Sequence, residues 1–153
     1  IHRLSLGQKK KVFISFALAT NTRILLMDEP TNGLDIPAKA TFRRLLSMAA
    51  NDERLILIST HQVRDLHSLI DSIVIVEDGQ VLLNADNERI TRKLCFKVRE
   101  DITDEPILYC EETLRGDLLV CENIYNVESK LDIELLFNAV MHNKKRIAEI
   151  FNH

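Results

Sequence analysis

The stretch Ile24-Leu25-Leu26-Met27-Asp28-Glu29-Pro30 decides the reading of this chain. Successive apolar residues without polar alternation are the pattern of a buried parallel strand. The run ends in two adjacent carboxylates, at the end of the strand where open α/β sheets bind ligands. Asp28 is positioned to hold Mg²⁺, directly or through water, against β- and γ-phosphates. Glu29 points differently and can polarise a water for in-line attack on the γ-phosphate. Just upstream, in Leu4-Ser5-Leu6-Gly7-Gln8, the pair Ser5 and Gln8 has the spacing of a capping box, so a helix opens there toward a second phosphate contact. Downstream, Leu55–Ser59 reads as a second buried strand ending at Thr60-His61. His61 therefore reaches the same sheet edge, where its imidazole can contact the γ-phosphate and Glu29.

The intervening segments support this layout. Val12, Phe13, Phe16, Ala17 and Ala19 recur at helical spacing behind Ser5, and Asn21 stops that helix. Thr31-Asn32-Gly33 reads as a turn. Asp35 can cap a second helix that runs to about Ala50, with Pro37 tolerated in its first turn. A short helix through Val63, Leu66 and Ile70 follows the second strand. Asp78-Gly79 between two apolar runs marks a hairpin, and a helix near Asn87–Lys93 closes this part. Strands alternating with helices imply an α/β fold with a parallel sheet. From about Leu94 the pattern becomes α+β. Short strands are expected at Cys95–Val98, Ile107–Cys110 and Leu118–Cys121, a turn at Arg115-Gly116-Asp117, and helices at Asp132–His142 and Lys144–Phe151. The expected division is residues 1–93 and a small accessory domain, 94–153.

Composition narrows the class. The chain has 153 residues, 46% of them hydrophobic, and a net charge of -3, enough for a core and without the basic excess of a large nucleic-acid footprint. The run Lys9-Lys10-Lys11 reads as a solvated helix face. Cys95, Cys110 and Cys121 lack CxxC spacing, so zinc and a disulfide framework are not expected, and the three thiols read as packed strand residues in a reducing compartment. No apolar run approaches the roughly 20 residues that span a bilayer. The first residue is Ile1 rather than Met, which reads as an excised fragment whose N-terminal part lies elsewhere.

An apolar run ending in Asp-Glu also occurs where the acids are solvated loop residues. The order and spacing of all these segments are more specific. Leu4–Gln8, then Ile24–Pro30, then Thr31-Asn32-Gly33-Leu34-Asp35, then Ser59-Thr60-His61 resembles the ATPase subunit of ABC transporters over roughly residues 1–90. The resemblance makes Leu4–Gln8 the signature motif, Asp28-Glu29 the end of the Walker B strand with its catalytic glutamate, Asp35 part of the D-loop and His61 the switch histidine. It implies a partial P-loop NTPase-like sheet, ATP and Mg²⁺ as cofactors, and Ser5, Leu6, Gly7, Gln8 and Asp35 as nucleotide-binding residues. Two such domains close head to tail, and the signature helix points its N-terminus at the γ-phosphate held by the opposite subunit. The commonest signature has glycine where Leu6 stands, which narrows access.

The chain contains no G-x-x-x-x-G-K-[ST] loop, so it is not expected to turn over ATP alone. The implied partners are a second ATPase subunit and transmembrane permease subunits, with no nucleic acid. The implied location is cytoplasmic, peripheral at the inner face of the cell membrane. The alternatives are a soluble ATPase of the same superfamily acting on ribosomes or DNA, and a non-catalytic interaction fragment. Apolar sheet surface left without upstream neighbours gives the fragment a tendency to self-associate.

Overall fold

A computed structural model describes residues 4–99, 104–114 and 116–152, without the side chains of Leu6 and Asp65. The chain packs as two compact units, residues 1–69 and 70–153. The boundary expected at 93/94 thus lies inside the second unit, with the Asp78-Gly79 hairpin and the following helix.

In the first unit, α1 (Leu6–Ala19) leads to β1 (Ile24–Asp28), α2 (Ile36–Ala49) and β2 (Leu55–Ser59), followed by a 3₁₀ turn at Val63–Asp65. The strands pair in parallel, Ile24 opposite Leu55 through Asp28 opposite Ser59, so both carboxyl ends lie at one edge. The α1 helix begins where the capping box predicts: Gln8 N–H donates to Ser5 Oγ at 3.2 Å and Ser5 N–H to Gln8 Oε1 at 2.9 Å. It ends before Asn21, whose φ of 49° leaves the helical region. The Asp35 carboxylate caps α2, accepting from Ala38 N–H at 2.8 Å. Arg54 crosses beneath the helices and donates to the carbonyls of Leu18 and Ala49, near the C-termini of α1 and α2, where a cation offsets the negative end of the helix dipole.

The core of this unit is Ile14 and Leu18 of α1, Leu25 of β1, Leu34, and Ala38, Phe42 and Leu46 of α2. The apolar positions read as the face of α1 behave differently. Phe13 and Phe16 are 61% and 70% exposed, and Val12 is also exposed. The helix is apolar around most of its circumference, and α2 covers only the Ile14–Leu18 stripe. Burial of the strands is also one-sided. Leu25 is buried, whereas Ile24, Leu26, Leu55 and Leu57 are exposed. The short helix expected through Ile70 is reduced to the 3₁₀ turn, with Leu69 N–H closing a further turn on Leu66 O.

In the second unit, β3 (Ser72–Glu77) and β4 (Gln80–Asp86) form a hairpin. Asp78 and Gly79 have φ of 48° and 74°, the two left-handed positions that a tight two-residue turn requires. Asp86 caps α3 (Asn87–Lys93) through Arg89 N–H. Then β5 (Leu94–Val98), β6 (Ile107–Glu111) and β7 (Leu118–Glu122) form an antiparallel sheet in the order β5-β7-β6. Helix α4 (Ile133–His142) packs on β6 and β7, and α5 (Lys144–Phe151) on β4 and α4. Leu136, Ala139 and Val140 of α4 and Ile147 of α5 are fully buried. Arg89 and Lys93 donate to the carbonyls of Phe151 and Ile150 and stand over the Phe151 ring, which ties α3 to the C-terminal end of α5. Of the turn expected at Arg115-Gly116-Asp117, Arg115 lies outside the described residues. Cys95 and Cys121 are buried and Cys110 is exposed. Burial pushes the Cys121 thiol up to about 12 and raises that of Cys95 as well, so neither is a nucleophile at neutral pH. No helix among the described residues is long and apolar enough to cross a membrane.

Candidate functional site

The parallel register places three of the sequence-selected residues at one edge. Asp28 is the last residue of β1 and lies opposite Ser59, whose hydroxyl donates to Asp28 Oδ1 at 2.5 Å. Its carboxylate is exposed. Glu29 follows at φ 44°, a left-handed conformation that costs a non-glycine residue on the order of 1 kcal/mol or more. That conformation turns the Glu29 side chain across to the end of β2. Its N–H donates to Ser59 O at 2.8 Å.

The Glu29 carboxylate is held by three donors. Thr60 Oγ1 donates to Oε2 at 2.9 Å, His61 N–H to Oε1 at 2.9 Å, and the His61 ring nitrogen Nδ1 lies 2.6 Å from Oε1. Thr60 Oγ1 also accepts from Gln62 N–H at 2.9 Å, which fixes its orientation. Partial burial pushes the Glu29 carboxyl upward, but the hydrogen bonds from His61 and Thr60 outweigh it and hold the group below its ordinary value. It is therefore ionised at neutral pH and able to accept hydrogen bonds.

A lysine completes the frame. Lys10 Nζ donates to Glu29 O at 2.6 Å and to Asn32 O at 2.8 Å, so α1 is pinned to the turn that presents Glu29. This corrects the reading of Lys9–Lys11 as a solvated face, since Lys10 is turned inward. Lys11 Nζ lies 3.9 Å from the Asp35 carboxylate, with both groups largely exposed. Ser59, Thr60 and Lys10 were not selected from sequence as site residues. For the first two the missing signal is strand register; a lysine within a run of three gives none.

The other candidates sit nearby in the same unit. Ser5 and Gln8 engage each other at the start of α1. Gly7 is close to the following turn: a Cβ there would lie 3.7 Å from Gly33 O, so the start of α1 abuts the Thr31–Asp35 segment. The Leu6 side chain lies outside the described residues. Asp35 serves α2 as its cap and is not among the partners of Glu29. A groove between α1 and α2, lined by Ile14, Leu34, Thr41 and Leu45 among others, does not include Asp28, Glu29 or His61.

Asp28 and Ser59 provide hard oxygen donors at an exposed strand end, which fits Mg²⁺. The first turn of an α-helix leaves N–H groups without intrahelical partners. At α1 the capping box takes that of Gln8, and the amides of Leu6 and Gly7 are positions where an anion fits.

Comparison with known proteins points the same way. Residues 1–64 match the family model described as "AAA domain, putative AbiEii toxin, Type IV TA system". Among curated relatives, the ribose import ATP-binding protein RbsA 2 of Rubrobacter xylanophilus is 31% identical over 93 residues, 61% of this chain and 18% of that protein. The ABC transporter ATP-binding protein NatA of Bacillus subtilis is 36% identical over 78 residues, 51% of this chain and 32% of that protein. The crystal structure of a protein described as a cobalt transport ATP-binding protein superposes with a TM-score of 0.50 at 18% identity, covering 98% of this chain and 52% of that one. That likeness concerns the fold alone. Together these findings support a partial ABC-type ATPase domain in the chain, and its fold is α/β. The first relatives matched share between 18% and 34% of their own length with it.

Proposed function

We propose that this chain is part of an ATP-binding and ATP-hydrolysing subunit that powers transport across a membrane, with residues 1–93 contributing the signature, Walker B, D-loop and switch segments. The carrying observation is the shared strand edge: Asp28 at the end of β1, with Glu29 locked to Thr60 and His61 at the end of β2. On this reading Asp28 holds Mg²⁺, and the ion when bound supplies charge stabilisation to the phosphates. Glu29 orients and polarises the attacking water. His61 positions the Glu29 carboxylate and contacts the γ-phosphate. Ser5, Leu6, Gly7 and Gln8 present the start of α1 to the γ-phosphate of the opposite subunit, and Asp35 lies at the interface between the two ATPase domains.

The partners on this reading are a second ATPase subunit and membrane permeases, which place the protein in the cytoplasm at the membrane's inner face. The 153 residues alone do not turn over ATP, because they contain no phosphate-cradling loop.

The test uses the complete parent protein. Glu29→Gln slows hydrolysis by about 10²–10⁴-fold, the usual range for losing a general base, while ATP still binds. Unchanged turnover removes Glu29 from this role. For the 153-residue chain, Mg²⁺-dependent hydrolysis abolished by Glu29→Gln would overturn the claim of inactivity.

A further inference from the structure

The second unit holds a cluster that the proposed ATPase role does not use. Cys95 on β5 and Cys121 on β7 are direct cross-strand partners. They are 1% and 0% exposed, and Glu105, just before β6, is 5% exposed. One ligand atom from each, two Sγ and a carboxylate oxygen, all lie within 4.8 Å of one another. The residues come from three separate segments, which is why no linear cysteine spacing announces them.

We propose that Cys95, Cys121 and Glu105 form a binding site for a thiophilic divalent cation of the zinc class. Two thiolates and one carboxylate are a donor set that zinc accepts, with a fourth position for water or a further ligand. With Zn–S bonds of about 2.3 Å, a tetrahedral site sets its sulfurs about 3.8 Å apart, inside the 4.8 Å within which the three ligand atoms lie.

The alternative pairing, a disulfide, fits less well. Asn123 N–H donates to Lys93 O at 2.9 Å and Arg99 N–H to Asp117 O at 2.7 Å. Stepping by two along the register makes Cys95–Cys121 a hydrogen-bonded pair. Cα atoms in such pairs are about 5.5 Å apart and their Cβ atoms about as far, against about 3.8 Å between the Cβ atoms of a disulfide. An ion between the sulfurs spans that gap without moving the strands.

Charge also balances. Lys97 is paired with Glu105 through Oε2, and a Glu105 carboxylate oxygen lies within 4.8 Å of both sulfurs. Replacing two thiol protons by one divalent cation leaves the net charge of the cluster unchanged. Lys97 then orients the carboxylate ligand, as outer-shell partners of metal ligands do.

The test uses the whole chain carrying Cys110→Ser, which removes the exposed third thiol, titrated with Co²⁺ alone under reducing, oxygen-free conditions. One equivalent should bind with thiolate-to-cobalt charge-transfer absorption and the intense visible bands of a four-coordinate site, both bleached by Zn²⁺. Glu105→Gln keeps both thiols and should weaken binding about tenfold or more while retaining the charge-transfer band. Cys95→Ser and Cys121→Ser should each abolish that band. If either serine variant does not fold, the parent titration and Glu105→Gln decide. The proposal is overturned by a cobalt spectrum without thiolate absorption, by a band that survives both cysteine substitutions, or by Glu105→Gln binding as tightly as its parent.

Discussion

Lys10→Met isolates the contact that holds the Glu29 turn in place. Methionine keeps an unbranched stem of similar length and deletes only the ammonium group. Two hydrogen bonds from that cation are lost, to Glu29 O at 2.6 Å and to Asn32 O at 2.8 Å. A hydrogen bond to a charged group contributes about 1.5–3 kcal/mol when well shielded. Lys10 is half-buried, so both contacts are discounted for solvent screening. The loss is also softened because Glu29 O accepts from Asn32 N–H at 3.3 Å as well. The net expectation is about 2 kcal/mol, close to a 30-fold change in a local opening equilibrium. The chain has two units, so a single global unfolding energy is the wrong readout. Amide hydrogen exchange followed by mass spectrometry resolves the peptide around residues 28–36. Its protected amides, Leu34 N–H bonded to Thr31 O among them, should exchange about 30-fold faster, with peptides of α4 and α5 unchanged as the internal control. An acceleration below about threefold would refute the claim that Lys10 secures this turn.

Three further outcomes are expected. Glu29 titrates below its ordinary value in the folded chain, so its contribution to stability is complete above the ordinary carboxylate pKa and is lost as pH falls through the depressed one. Exchange protection at the ends of β1 and β2 should therefore decline on the acid side, and Glu29→Gln should flatten that decline; an unaltered profile would exclude Glu29 as its source. Thr31 is fully buried and its hydroxyl finds no partner among the described residues, so Thr31→Val, similar in shape, should stabilise the first unit by about 1 kcal/mol, read as slower exchange around residue 31; faster exchange would show that the hydroxyl is satisfied. Exposed Phe13, Phe16, Leu26 and Leu57 give the isolated chain a sticky surface, so light scattering should show concentration-dependent association that Phe13→Ser with Phe16→Ser reduces, and a monomer at high concentration contradicts this.

Much of the layout was legible because local chemistry dictates it. The capping pair at Ser5 and Gln8, the Asp35 cap and the Asp78-Gly79 turn each depend on residues three or fewer positions apart. The apolar strands were legible for the same reason, since their runs are continuous. Which face each element buries was not. In α1 the apolar residues encircle the helix, so periodicity cannot choose between the Phe13–Phe16 stripe and the buried Ile14–Leu18 stripe. Site partners separated by strand pairing were also hidden. Ser59 meets Asp28 and Thr60 meets Glu29 only because the two strands run parallel in one register, and Cys95 meets Cys121 only through β5–β7 pairing.

The arrangement around Glu29 bears on how a carboxylate in this position can act. Three donors converge on it and depress its pKa, which makes it a weaker base than an ordinary glutamate. A role resting on proton affinity alone therefore conflicts with the geometry. A role resting on orientation does not, because the same three bonds hold the carboxylate in one orientation, which on the proposed reading aligns the attacking water. Thr60 and His61 N–H are attached to the rigid end of β2, whereas the His61 ring is 70% exposed and is the donor most free to turn away. Rotation of that ring toward an arriving phosphate would release one of the three bonds and raise the basicity of Glu29 when substrate is present. On the proposed reading His61→Ala should lower turnover less than Glu29→Gln, and it should shift the acid limb of the pH–rate profile upward, because a donor that depresses Glu29 is gone. An unshifted limb would mean that His61 does not tune this carboxylate.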